Sequence, residues 1–207
     1  TKYTRSVGYF SSKMLSIAAK GISGLLQNNG SMNLIIGDPL DEEEYEAIKT
    51  GEDYKQRKIF DNNKILEVML ENPLDELDAY RFDLLTSLIA ADRLKISFAF
   101  KKGRGMVHEK MGLLEDSEGN ELVFQGSMND SENALTGDFN WESTSVFESW
   151  DEANYERHFL KIKKHLEKWT SNDVGEEIIL FPLPSESYEI FLERRPIRTK
   201  EYLLNID

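Results

Sequence analysis

Short apolar runs alternate with helical patterns along this chain. The clearest helical pattern places Tyr155, Phe159, Ile162, Leu166 and Trp169 at alternating spacings of four and three. A second amphipathic helix is predicted to end near residue 27. Strands that alternate with helices predict an α/β fold with a central mixed sheet flanked by helices. The predicted strands are 7–10, 33–36, 95–100, a segment that starts at Val107, 121–125, 144–148 and 177–181.

The chain is long enough for one well-buried domain. That domain is predicted to span residues 1–184 and to include a mostly helical segment at about 40–92. Residues 185–207 are predicted to form a tail or linker towards a missing downstream region. Because the chain begins at Thr1, close to its first predicted strand, we expect it to be excised from a longer protein.

Composition restricts the possible partners and compartment. The net charge is -13, which argues against indiscriminate binding of nucleic acid, although it leaves a local cationic groove possible. The chain has no cysteine, so disulfides and thiolate zinc sites are excluded and a cytoplasmic location is expected. Neither a signal peptide nor a membrane-spanning apolar run is found, and we therefore expect no membrane partner.

His108 and Lys110 are the clearest candidates for chemistry. They are two residues apart in a predicted strand, so both side chains should project from the same face. A neutral imidazole can attack phosphorus while a lysine ammonium offsets charge that grows on the non-bridging oxygens. The pair therefore suits the cleavage of a phosphodiester, in a scheme that needs no metal or other cofactor. The alternative is a hairpin strand whose His and Lys are merely solvated.

Two later pairs repeat the spacing of two residues. Ser127 and Asn129 would add neutral donors to the same phosphate. In the next pair, Asn140 and Glu142, the carboxylate would orient the His108 imidazole through one ring nitrogen and fix its tautomer. These pairs make the motif considerably more specific than an isolated His-x-Lys.

This combination resembles the phospholipase D superfamily, whose signature is His-x-Lys, four residues, Asp, then Gly-Ser-x-Asn and often Asn-x-Glu. The matching residues are His108, Lys110, Gly126, Ser127, Asn129, Asn140 and Glu142. The chain departs from the signature at the Asp, which is replaced by Glu115. In the family that Asp supports the site through hydrogen bonds, so the resemblance implies a supporting role for Glu115, as for Asn140. It also implies a phospholipase D-like layered fold.

A narrower resemblance covers residues 4 to 184. The run from Tyr9-Phe10-Ser11 through Asp38-Pro39-Leu40 to the segment 145–151 is similar to the phospholipase D-like domain that precedes helicase motors in bacterial and archaeal DNA-processing or defence proteins. This similarity implies a nuclease module with a helicase motor domain in the same full-length chain. It favours DNA as the substrate.

The chain contains one His-x-Lys motif, whereas enzymes of this superfamily use two that face one another. The other histidines, His158 and His165, are followed two residues on by Leu160 and Glu167. Both lie on a predicted helix and are interpreted as surface residues. The resemblance therefore implies a homodimer in which His108 of each subunit meets the other across a two-fold axis.

Candidates for contact with nucleic acid lie near the motif. Lys101, Lys102 and Arg104 precede it and would form a basic lip, or else a turn that its charges keep soluble. Trp141 would stack on a base, or else be a buried aromatic beside the site.

The sequence thus predicts a metal-independent DNA endonuclease that acts through a phosphohistidine. The alternative is a non-catalytic DNA-binding or dimerisation module with the same fold, in which Glu115 marks the loss of activity. A lipid hydrolase would require an apolar entrance, for which the sequence gives no sign.

Overall fold

A computed structural model describes residues 1–8, 19–37, 86–102, 105–128, 142–183 and 189. Within these residues seven strands form one mixed sheet, in the order β6-β5-β4-β1-β2-β3-β7. The strands are β1 Lys2–Val7, β2 Ser31–Gly37, β3 Leu94–Lys101, β4 Met111–Glu115, β5 Glu121–Gly126, β6 Thr144–Glu148 and β7 Ile178–Pro182. The predicted α/β class with a central mixed sheet is confirmed.

The directions of the strands bring several chain segments to one edge of the sheet. Strands β1, β2 and β3 are parallel, while β4 is antiparallel to β1. Along the other side β5 is antiparallel to β4, and β6 to β5. The carboxyl ends of β1 to β3, the starts of β4 and β6 and the end of β5 therefore lie at the same edge, which we call the carboxyl edge.

The helices lie between strands in the order of the chain. Helix α1 spans Ala19–Gln27, and residues 86–90 are also helical. Helix α2 covers Glu152–Asn154, continues as a π-helical turn at Tyr155–Phe159 and leads into α3, Leu160–Ser171. No helix in the described part of the chain is long and apolar enough to cross a membrane.

Helix α3 packs its apolar side on one face of the sheet. Ile162, Leu166 and Trp169 form a buried cluster with residues that include Ile35 and Val123 from the strands. This confirms the predicted amphipathic helix. Alternate residues of β2 and β3 that point to the opposite face are also at most 9% exposed, so the centre of the sheet is buried on both faces. These are Leu34, Ile36, Ile96 and Phe98.

The predicted first strand, 7–10, was placed too late in the chain. Strand β1 spans Lys2–Val7, and three of its residues, Thr4, Arg5 and Ser6, are polar and buried. A strand that buries polar side chains lacks the apolar pattern by which strands are recognised in a sequence. The strands predicted at 33–36, 95–100, 121–125, 144–148 and 177–181 are confirmed with small shifts of their ends.

The segment that carries His108 and Lys110 is not a strand. Residues 106–110, which we call the motif segment, have no regular secondary structure, and β4 begins at Met111. Most of the predicted helical segment at 40–92 lies outside the described residues. The proposed tail at 185–207 lies outside them as well, except for residue 189.

Candidate active site at the carboxyl edge

Three chain segments bring candidate side chains to the carboxyl edge. His108 and Lys110 lie just before β4, while Ser127 directly follows β5 and Glu142 lies two residues before β6. The antiparallel pairing continues past the strand ends, because the Gly126 amide donates to the Lys110 carbonyl oxygen at 3.1 Å. The hairpin arrangement of β4, β5 and β6 therefore explains why residues far apart in sequence meet here.

His108 and Lys110 are in direct contact. The Lys110 ammonium nitrogen lies 2.8 Å from both ring nitrogens of His108 and donates to the His108 carbonyl oxygen at 3.1 Å. A neutral imidazole has one ring nitrogen that accepts a hydrogen bond, whereas an imidazolium has none. The neutral form is also the one that can act as a nucleophile at phosphorus.

The two side chains differ in exposure. His108 is exposed, whereas only 6% of Lys110 is accessible to solvent. Burial lowers the pKa of Lys110; the negative charge of Glu142 opposes this shift, and the positive charge of Arg5 adds to it. The site therefore presents an accessible imidazole over a partly desolvated ammonium, whose charge acts strongly on a bound anion because little water screens it.

Ser127 and Glu142 form a second pair beside the first. The Ser127 hydroxyl donates to the Glu142 carboxylate and accepts a hydrogen bond from the Ser143 amide at 3.1 Å. The Ser127 amide in turn donates to the Ser143 carbonyl oxygen at 3.0 Å. This pairing differs from the expectation that Glu142 binds the His108 ring. Glu142 meets Ser127 because the pairing of β5 with β6 extends by one residue beyond both strands.

Glu115 lies away from the carboxyl edge, which differs from the expected supporting role. It is the last residue of β4, at the opposite end of the strand from His108, and the strand alone separates its two ends by roughly 14 Å. Its carboxylate lies 3.6 Å from the ammonium of Lys2 in an exposed ion pair. The replacement of Asp by Glu at this position therefore has no direct effect on the carboxyl edge.

Other predicted site residues are only partly described. Lys101 ends β3 at the carboxyl edge, and Lys102, which follows it, is exposed. Arg104 and Asn129 lie outside the described residues. Asn140 and Trp141 lie outside them as well, and their predicted roles stay predictions.

Arg5 and Gly8 are site residues that the sequence analysis missed. Arg5 is 2% exposed, and its guanidinium donates to the Met128 carbonyl oxygen at 2.9 Å, which holds the chain just after Ser127. A Cβ atom on Gly8 would lie 2.6 Å from Cδ2 of His108, so glycine is needed for the close approach of β1 to the ring. The sequence signal that could have identified Arg5 is the presence of an arginine in β1, a central strand whose side chains are buried.

The remaining histidines lie away from this site. His158 is exposed and stacks on Phe147, with 4.6 Å between the ring centroids. His165 is only half-buried, but it is not a simple surface residue as expected, because its Nε2 lies 2.7 Å from Oε2 of Glu109. Both belong to the helical segment that packs on the sheet, and neither contacts the imidazole of His108.

Neither a scan of family models nor a search of curated proteins finds a match to this chain. Any assignment of function therefore depends on the motif residues and on their arrangement at the carboxyl edge. Among the described residues, no group of three or more histidine or carboxylate side chains could hold a metal ion.

Proposed function

We propose that this chain is a phosphodiesterase of the phospholipase D type, and specifically a nuclease that cleaves DNA through a phosphohistidine. The observation that carries the proposal is the contact of an exposed His108 with the buried ammonium of Lys110. A nucleophile and a fixed cation then face one phosphate. Ser127 lies at the same edge and supplies a hydroxyl beside it.

The chemistry follows from these groups. A ring nitrogen of neutral His108 bonds to phosphorus, and the bond from phosphorus to the leaving oxygen breaks. Lys110 offsets the negative charge on the non-bridging oxygens. A proton must reach the leaving oxygen, and a second, protonated imidazole supplies it. That imidazole then takes a proton from water, the water oxygen bonds to phosphorus, and the bond between nitrogen and phosphorus breaks.

The second imidazole comes from a second copy of the chain. The protein has three histidines, and His158 and His165 are engaged with Phe147 and Glu109. A homodimer that brings two His108 side chains to one phosphate would complete the site. We propose this dimer as the active form.

DNA is the proposed substrate, and a helicase motor domain in the same full-length chain is the proposed partner. The support is the similarity to the domain that precedes helicase motors. Lys101 and Lys102 at the carboxyl edge provide local positive charge in a chain whose net charge is -13. Cytoplasmic DNA processing fits a chain without cysteine.

The test is cleavage of single-stranded and double-stranded DNA in EDTA, with the mass of the protein measured in the same buffer. We expect a dimer that cleaves DNA, and we expect His108→Ala to abolish cleavage. His158→Ala is the matched control, because His158 is also an exposed histidine but lies outside the motif. Cleavage that survives in His108→Ala would refute the proposal.

A second candidate is a non-catalytic DNA-binding or dimerisation module. One observation favours it: the Lys110 ammonium lies 2.8 Å from the ring nitrogens of His108, so a substrate would have to displace this contact before attack. A clean dimer that binds DNA but leaves it intact would support this function instead.

A further inference from the structure

Glu109, the residue between His108 and Lys110, makes its contacts on a different side of the motif segment. Its Oε1 accepts a hydrogen bond from the Ser6 hydroxyl at 3.0 Å, and its Oε2 lies 2.7 Å from Nε2 of His165. Ser6 is fully buried, and the Glu109 side chain is 17% exposed. His108 and Lys110 therefore contribute to the candidate site, whereas Glu109 between them binds residues of β1 and α3.

These contacts fix a segment that the sheet holds only at its last residue, through the hydrogen bond from the Gly126 amide to the Lys110 carbonyl oxygen. The motif segment precedes β4 and lacks the regular pairing of a strand. Glu109 joins it to β1 through Ser6, 103 residues away, and to α3 through His165, 56 residues away. A shift of this carboxylate would therefore displace the backbone on which His108 and Lys110 are mounted.

We propose that Glu109 is a positioning residue, which holds the motif segment through His165 and Ser6 so that the His108 ring and the Lys110 ammonium meet at the carboxyl edge. The effect on cleavage rests on the proposed function. The effect on the position of the ring does not, because it follows from the packing alone.

The charges around His165 are consistent with this role. The hydrogen bond from Glu109 raises the pKa of His165, burial lowers it, the charge of Glu109 raises it further, and Lys168 on the same helix lowers it. The net shift is upward, so the ion pair persists to higher pH than it would for an isolated histidine. The ring of Trp169 lies against His165 edge-on, with 6.3 Å between centroids.

The experiment compares Glu109→Ala with the wild type by NMR of the histidine rings and by DNA cleavage in EDTA. Three histidines give few ring signals, and His108→Ala and His158→Ala assign them. We expect Glu109→Ala to move the His108 signals and to lower kcat by about 10- to 100-fold with little change in KM. Glu109→Gln keeps an acceptor for Ser6 and should restore part of both.

Lys163→Met is the matched control. Lys163 lies on the same helix as His165 and forms an ion pair of 2.6 Å with Glu121, with side-chain exposures of 25% and 16%. This pair is comparable in length and burial but does not touch the motif segment. We expect the His108 signals and kcat to stay unchanged in Lys163→Met.

The two proposals fail in different ways. Unmoved His108 signals in a folded Glu109→Ala variant would overturn the positioning role, whether or not the wild type cleaves DNA. If the wild type does not cleave but the signals move in Glu109→Ala and not in Lys163→Met, the positioning role stands and the nuclease proposal falls.

Discussion

The motif segment makes two sets of contacts, and each set pairs a histidine with a charged side chain. The charged group is a cation in one set and a carboxylate in the other. At the carboxyl edge, His108 and Lys110 meet as a histidine and a cation, and the histidine is exposed. At the other set of contacts, Glu109 and His165 meet as a carboxylate and a histidine beside a buried hydroxyl. We call these the reactive side and the anchoring side.

The two sides differ in how fully the hydrogen bonds and charges of their side chains are compensated. On the anchoring side, the carboxylate has a bond on each oxygen, from Ser6 and from His165, and the charges are opposite. On the reactive side, a buried ammonium has only partial compensation from Glu142, and its charge is disfavoured by burial. A protein that folds for stability alone would not bury a cation in this way, so the incompletely compensated charge of Lys110 supports the proposal that an anion binds on the reactive side.

The largest expected effect is that of Lys110→Met on activity. Loss of the ammonium removes the charge that stabilises the transition state, so kcat for DNA cleavage in EDTA should fall by about 1,000-fold. The free energy of unfolding should stay the same or rise, because the variant no longer desolvates a cation. Urea unfolding measures the second quantity. If Lys110→Met were strongly destabilised, Lys110 would stabilise the fold as the contacts of the anchoring side do. That result would contradict the difference drawn between the reactive side and the anchoring side.

A smaller effect is expected for Gly8→Ala, which adds one methyl group behind the ring. The new Cβ would lie 2.6 Å from Cδ2 and 3.3 Å from Cα of His108, so the histidine must move. A displacement of this kind should lower kcat by about 100-fold while KM changes little. Steady-state kinetics in EDTA would measure it.

Gly21→Ala is the control for that substitution. Gly21 lies exposed in α1, and a Cβ there would meet no atom within 4 Å. The variant should keep full activity and gain roughly 0.5–1 kcal/mol in the free energy of unfolding, because alanine favours a helix more than glycine does. Equal kinetics for the two glycine variants would show that the approach of β1 does not set the position of His108.

Much of the reactive side was predictable from the sequence, because it depends on local patterns. Strands 121–125 and 144–148 are recognised because their apolar and polar residues alternate or because turn residues bound them. The pairing of β4, β5 and β6 then brings Ser127 and Glu142 to the motif segment. The α/β class followed from the same alternation. The roles assigned to these residues in catalysis stay predictions.

The anchoring side was not predictable, because it depends on contacts between distant segments. An ion pair across 56 residues leaves no period in the sequence, and His165 looked like any polar residue on an amphipathic helix. Strand β1 was misplaced for a related reason: its buried Arg5 and Ser6 conceal the strand. The π-helical turn at Tyr155–Phe159 escaped notice as well, since the apolar spacings of four and three also fit a regular α-helix.

The smallest expected effect is the dependence of stability on pH through the anchoring side. The pKa of His165 is raised above its usual 6.5, chiefly by the hydrogen bond with Glu109. The protonated form is therefore favoured in the fold, and its contribution is fully present below about pH 6.5 and lost as the pH rises through the raised value. His165→Gln keeps a hydrogen-bond donor but has no charge, so the wild type should exceed it in stability only at low pH.

The measurement is the difference in the free energy of unfolding between the wild type and His165→Gln from about pH 6 to pH 9. The difference should stay under about 1 kcal/mol, since the His165 side chain is 44% exposed and solvent screens the pair. Lys163→Met provides the contrast. Burial alone would lower the pKa of Lys163, but Glu121 raises it above the usual 10.5, so this ion pair keeps its charge throughout the range. A pH-independent difference for His165→Gln, like that expected for Lys163→Met, would show that the anchoring side depends on packing and hydrogen bonding rather than on charge.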